Sequence, residues 1–155
     1  MRTLTRISLI GVSVLSAHGA IAQSVDASDP QPLVEIIQDL GYRGKLEVDG
    51  IGDPMIHSSV GGTEFAIYFY GCEDNAKCTA LLFKVGYDLA DGTTLGVVND
   101  WNAANLFGRA YLDDEADPWI EMPVNLHGGV SRQNFEDTFD WWEVLIDNFE
   151  AHIDL

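Results

Sequence analysis

Basic side chains are scarce in this sequence: eight Lys and Arg stand against 25 Asp and Glu, for a net charge of −17. Such a surface repels phosphate backbones and anionic lipid, which argues against nucleic acid or an anionic membrane surface as a partner. Cysteine is limited to Cys72 and Cys78, with no further Cys or His nearby in sequence to complete a zinc set. There is no G-x-G-x-x-G or Walker-type loop, so nucleotide binding has no support. The G-x-S-x-G elbow of a serine nucleophile and the twelve-residue calcium loop are missing too. Beyond the first segment, no apolar run is long enough to cross a bilayer. Internal repeats and low-complexity tracts are also lacking.

What is present begins with a three-part leader. Arg2 and Arg6 precede a mostly apolar run from Ile7 to Leu15, and Ala20-Ile21-Ala22 is a small-x-small site. This order reads as a secretory signal peptide over residues 1–22, cleaved before Gln23, with an apolar stretch too short to span a membrane. Its removal leaves six basic residues against 25 acidic ones, a net charge of −19. The 133 remaining residues suit one domain with one core. Residues 23–31 are mostly polar and are expected to be a flexible leader to a domain over residues 32–155.

In an exported chain Cys72 and Cys78 are expected to form a disulfide. A redox pair or half of a metal site are the competing readings, and five intervening residues suit neither a C-x-x-C redox motif nor a zinc knuckle. A bridge over so short a loop would contribute on the order of 2 kcal/mol.

Apolar spacing gives the elements. Leu33, Ile36, Ile37 and Leu40 predict a helix opening at Pro32 and ending at Gly41. Strands are expected over residues 45–49, 55–60, 63–70 and 81–87; the third is the clearest, with Phe65, Ile67 and Phe69 on one face and Tyr68 and Tyr70 on the other. Leu95, Val98 and Trp101 indicate a short second helix, and residues 109–113 and 119–126 two further strands, where Pro123 implies an edge position or a bulge. Ser131 then caps a long helix whose stripe is Phe135, Phe139, Trp142, Ile146, Phe149 and Ile153. The order α-ββββ-α-ββ-α predicts an α+β two-layer sandwich, an antiparallel sheet with helices packed on one face.

Candidate chemistry is thin. His127 beside Gly128-Gly129 suits a turn. Asp113, Asp114, Glu115 and Asp117 form a dense acidic loop that is either a charged hairpin turn or a site for a hard cation. Asn99 and Asn102 flank Trp101, and one of them is expected to tie its helix to a strand or loop.

Three motifs in order resemble the YbjN family of bacterial proteins: Val98-Asn99-Asp100-Trp101-Asn102, then Phe107-Gly108-Arg109-Ala110-Tyr111, then Gly128-Gly129-Val130 with Phe135 in a long terminal helix. The likeness covers roughly residues 32–153. It implies a fold similar to type III secretion chaperones, which often dimerise and bind extended protein segments, and a role in sensory transduction. It brings no catalytic residues. The leader and the cysteine loop set this sequence apart from that pattern.

Together these readings predict a periplasmic or secreted, non-enzymatic module that binds a protein or peptide, without cofactor, and that forms a homodimer or a partner complex. Trp141 and Leu145, on the flank of the last helix, and Tyr68 and Tyr70, on the outer sheet face, are the candidate partner surfaces. The alternative is a small metal-dependent hydrolase using residues 113–117.

Overall fold

A computed structural model describes residues 24–155. The expected signal peptide and its cleavage site lie outside the described residues.

Four strands follow a first helix, α1 (Pro30–Asp39): β2 (Lys45–Val48), β3 (Pro54–Val60), β4 (Thr63–Tyr70) and β5 (Ala80–Gly86), preceded by a two-residue β1 (Ser24–Val25). Then come α2 (Leu95–Ala104), β6 (Arg109–Leu112), β7 (Pro118–Asn125), a two-residue β8 (Val130–Ser131) and α3 (Arg132–His152). Six strands form one antiparallel sheet in the order β2-β3-β4-β5-β7-β6, and β1 pairs with β8 beside it. The α+β order expected from the apolar periodicity is the observed one, with β1 and β8 added.

The pairing explains the core. Ile56, Ile67, Phe83 and Met122 lie in register across four strands and share the face that meets α3. On α3 the side chains of Phe135, Phe139, Trp142, Ile146 and Phe149 repeat at helical spacing, and all are buried. Phe65 and Phe83 each meet Trp142, with ring centroids 5.7 and 5.6 Å apart. Trp101 of α2 meets Phe149 edge-on at 5.0 Å. The opposite face carries Tyr68, Tyr70, Leu82, Lys84, Trp119 and Tyr111.

Residues 23–31, expected as a flexible leader, are instead built into the domain from Ser24 onward. Val25 and Ala27 are buried, and Ser24 and Val25 pair with Ser131 and Val130. Gly129, at φ +81°, permits this approach, because a Cβ there would fall 2.4 Å from the Ser24 Oγ. The helix opens at Pro30 rather than Pro32, since Asp29 caps it by accepting from the Gln31 N–H at 3.2 Å.

Tyr42, just past α1, donates to Glu143 Oε2 of α3 at 2.6 Å and packs on Phe139. The hydrogen bond to the carboxylate, helped by burial, raises the Tyr42 pKa to about 12. This raised value favours the neutral phenol, so the stability it adds is present below pH 10 and is lost as pH climbs toward 12.

Cys72 and Cys78 are bonded to each other. The loop they close docks on the turn between β2 and β3: Asn75 Nδ2 donates to Asp53 Oδ1 at 2.8 Å and to the Ile51 carbonyl at 3.2 Å.

Candidate functional site

The acidic loop does not gather its carboxylates. Asp113 Oδ1 accepts the backbone N–H groups of Glu115 and Asp117, each at 3.0 Å, and its Oδ2 accepts from Trp119 Nε1 at 2.9 Å. The indole bond foremost, and the backbone bonds after it, hold the Asp113 carboxyl below its ordinary pKa. Asp117 turns away to accept the Leu89 N–H at 2.9 Å. These acids shape a turn. Among the described residues, no group of three or more His, Cys, Asp and Glu is arranged to hold a metal. The metal-dependent hydrolase therefore has no support. His127 takes the bland role expected of it: its backbone N–H bonds the Asn125 side chain at 3.0 Å, and its ring is exposed.

The residues that do converge are apolar. α3 buries one broad stripe and leaves Trp141 and Val144 outside, 48% and 47% exposed. Beside them runs the end of β7. β6 pairs with β7 only as far as Glu121, so Met122 to Asn125 form a free edge. Pro123 sits on that stretch, the edge position its missing N–H requires. Phe107, on the loop between α2 and β6, leans over the gap with its ring 5.4 Å from that of Trp141. The result is a groove of about 340 Å³ walled by Phe107, Trp141, Met122, Pro123 and Val124, with Asp137 on its rim. Asp140 lies in the adjoining hollow on the other side of Trp141. Thr138 contributes little polarity, because its hydroxyl donates to the Asn134 carbonyl at 2.8 Å.

α2 sets the position of Phe107. Trp101 Nε1 donates to the Gly108 carbonyl at 2.7 Å, and Asn102 makes two bonds with Ala110, accepting its N–H at 2.8 Å and donating to its carbonyl at 3.0 Å. Asn102 thus acts toward β6 as a neighbouring strand would, while Asn99 is exposed. This is the tie expected of one of the two asparagines. At Gly108, φ +79°, a Cβ would fall 3.1 Å from Leu145 Cδ2 and closer still to Ile120.

The sequence-predicted surface residues separate. Trp141 faces the groove. Leu145 is 4% exposed under the loop that carries Gly108, so it is a core residue and offers no partner surface. Tyr68 is half-buried and Tyr70 is 52% exposed, both on the face of the sheet away from the helices. Tyr70, Leu82 and Pro123 line a shallow hollow there, so Pro123 joins the two faces at the free edge. Phe107 was missed as a surface residue because it sits in a loop with no period to betray it. Its one sequence signal was its place in the basic-aromatic motif.

The outer face carries charge. Lys84 lies over Trp119 at 4.6 Å and over Tyr111 at 5.5 Å from the ring centres. Burial works against its charge, but the Tyr111 hydroxyl, with Glu121 and Tyr68 nearby, outweighs that and leaves the pKa raised. Arg109 forms an ion pair with the buried Glu121. The cysteines are consumed in their bond, and among the described residues none is free. No helix of the described residues is long and apolar enough to cross a membrane.

Compared with protein-family models, residues 29–155 match YbjN, described as "Putative bacterial sensory transduction regulator". No curated protein and no solved structure matches the chain at a significant level.

Proposed function

Given that the chain belongs to the YbjN family, we propose that it is a non-enzymatic regulatory module that captures a partner protein through the groove at Trp141. The observation that carries this reading is an apolar groove between the free stretch of β7 and two exposed aromatic rings in contact with each other, rimmed by Asp137 and Asp140 on a strongly acidic protein. Desolvated aromatic walls anchor an apolar side chain, and acidic rims select basic flanks. The partner segment is therefore an apolar side chain or two between Lys and Arg residues. Pro123 removes an N–H from the free edge, so the segment docks by side chains rather than by adding a strand.

The test is fluorescence titration with a synthetic peptide, Lys-Arg-Leu-Phe-Leu-Arg-Lys. Saturable binding that weakens with salt is expected, and Trp141→Ala should lose about thirtyfold in affinity with an unchanged melting temperature. Equal binding by the wild type and Trp141→Ala would remove the groove from the reading.

The place of action proposed is the periplasm or the exterior. The leader of residues 1–22 supports export, and an acidic domain held by a Cys72–Cys78 bond suits an oxidising compartment. Protein recovered from the periplasm is expected to have the mass of residues 23–155 less two hydrogens. Recovery of the full-length mass from the cytoplasm would show that export does not occur.

A further inference from the structure

The sheet treats its edges unequally. At one end, Asn102 of α2 satisfies both backbone groups of Ala110 on β6. The free stretch of β7 carries Pro123. At the other end lies β2, an edge strand without proline, and no described strand pairs with its outer side. The bond from the Asp49 N–H to the Asp53 carbonyl, at 2.9 Å, fixes the alternation of this ladder. Lys45 and Glu47 therefore bond toward β3, and Leu46 and Val48 direct their N–H and C=O groups outward. The side chains of Leu46 and Val48 are 40% and 67% exposed, and Ile51 beyond them is exposed too. An open edge with apolar side chains is a site where a further strand adds.

We propose that the strand received there is β2 of a second copy of this chain, paired antiparallel about a two-fold axis through Leu46. The argument is charge complementarity, and it selects one register. Lys45 and Glu47 share the outer face, opposite His57 and Met55 of β3. With the axis at Leu46, each Lys45 stands opposite Glu47 of the other copy, and Leu46 meets its own counterpart on the helix-side face. These charged positions are the non-hydrogen-bonded pairs of the new ladder, where facing side chains come closest. Moving the axis to Glu47 sets two carboxylates against each other, and moving it to Lys45 sets two ammonium groups so. Shifting it by half a residue puts the apolar side chains opposite charged ones. The present partner of Lys45 is Glu47 of its own strand, with His57 3.2 Å from that carboxylate, so the pair exchanges partners on association. Four residues per edge and a few apolar side chains make a small interface, so the dimer is weak and grows with concentration. The site is independent of the groove at Trp141.

The experiment is sedimentation equilibrium of the full protein at physiological ionic strength, up to about millimolar concentration. The wild type is expected to pass from monomer to dimer. Lys45 is exposed and Glu47 half-buried, and Lys45→Glu or Glu47→Lys alone should weaken association on the order of tenfold or more, because two opposite-charge pairs become like-charge pairs. The two variants mixed should associate again, since Glu at 45 in one copy then meets Lys at 47 in the other, and the double exchange within one chain should dimerise as the wild type does. A wild type that stays monomeric throughout would overturn the proposal. So would a dimer that survives both single reversals, which would belong to another surface. A mixture of the two variants no more associated than its components would overturn it as well.

Discussion

Replacing Trp142 by alanine is expected to cost about 3–5 kcal/mol of stability, while the same change at the next residue, Trp141, stays within about 0.5 kcal/mol. The two residues are neighbours in sequence, about 100° apart around one helix, Trp142 in the buried stripe and Trp141 on its flank. Trp142 is fully buried, and its ring meets Phe65 and Phe83 at under 6 Å. Those two rings lie on β4 and β5, so Trp142 is where α3 seats on the middle of the sheet. Removing the indole opens a cavity between three elements that cannot collapse without moving a strand. At about 130 residues, such a loss should lower the melting temperature by something on the order of 15 °C. Trp141 gives half its surface to solvent and otherwise meets Phe107 and the walls of the groove and its adjoining hollow. Thermal unfolding of the two variants side by side checks the assignment. Similar losses at both positions would mean that the groove wall is structural, and the partner surface would then have to be sought on the outer face at Tyr70.

Trp142, like the rest of its stripe, was legible because an amphipathic helix of this length fixes which side is inward by period alone. The same holds for β4, where Phe65, Ile67 and Phe69 alternate with Tyr68 and Tyr70. The bond between Cys72 and Cys78 was legible as an even pair in a chain read as exported, with a separation that suits neither a redox motif nor a zinc knuckle. Leu145 shows where periodicity stops. It lies on the flank of the α3 stripe, and a helical wheel says nothing about what covers a flank. Its cover is a loop brought close by Gly108 in the left-handed region, a contact made by residues 37 positions apart. Phe107 was hidden for the complementary reason, since it belongs to no repeating element. The first residues of the domain are not legible in the sequence, because Ser24–Val25 is too short to announce a strand and pairs with Val130–Ser131, more than 100 residues away. The acidic loop was ambiguous in sequence because carboxylates that brace a turn and carboxylates that bind a cation have the same composition. Asp113 is resolved only by the three donors it accepts.

The second large loss is expected at Trp101, where alanine should again cost about 3–5 kcal/mol. Trp101 is nearly fully buried, meets Phe149 edge-on and lies 5.6 Å from the His152 ring, so it fastens α2 to the end of α3. His152 adds a contact with the Val97 carbonyl at 2.9 Å from the other side. The more informative change is Trp101→Phe. It keeps most of the apolar body and removes the bond from Nε1 to the Gly108 carbonyl, for a loss of about 1–2 kcal/mol. Gly108 directly follows Phe107, so the same change loosens one wall of the groove. The family motif around Trp101 and Asn102 thereby acquires a mechanical sense: its two polar groups hold residues 108–110 in place, and those residues present Phe107 to Trp141. Trp101→Phe is therefore expected to reduce affinity for the basic-apolar peptide as well as stability, although Trp101 does not line the groove. Urea unfolding and peptide titration on the same preparation separate the two effects. An affinity equal to that of the wild type, in a protein made less stable, would show that Phe107 holds its position without the help of α2.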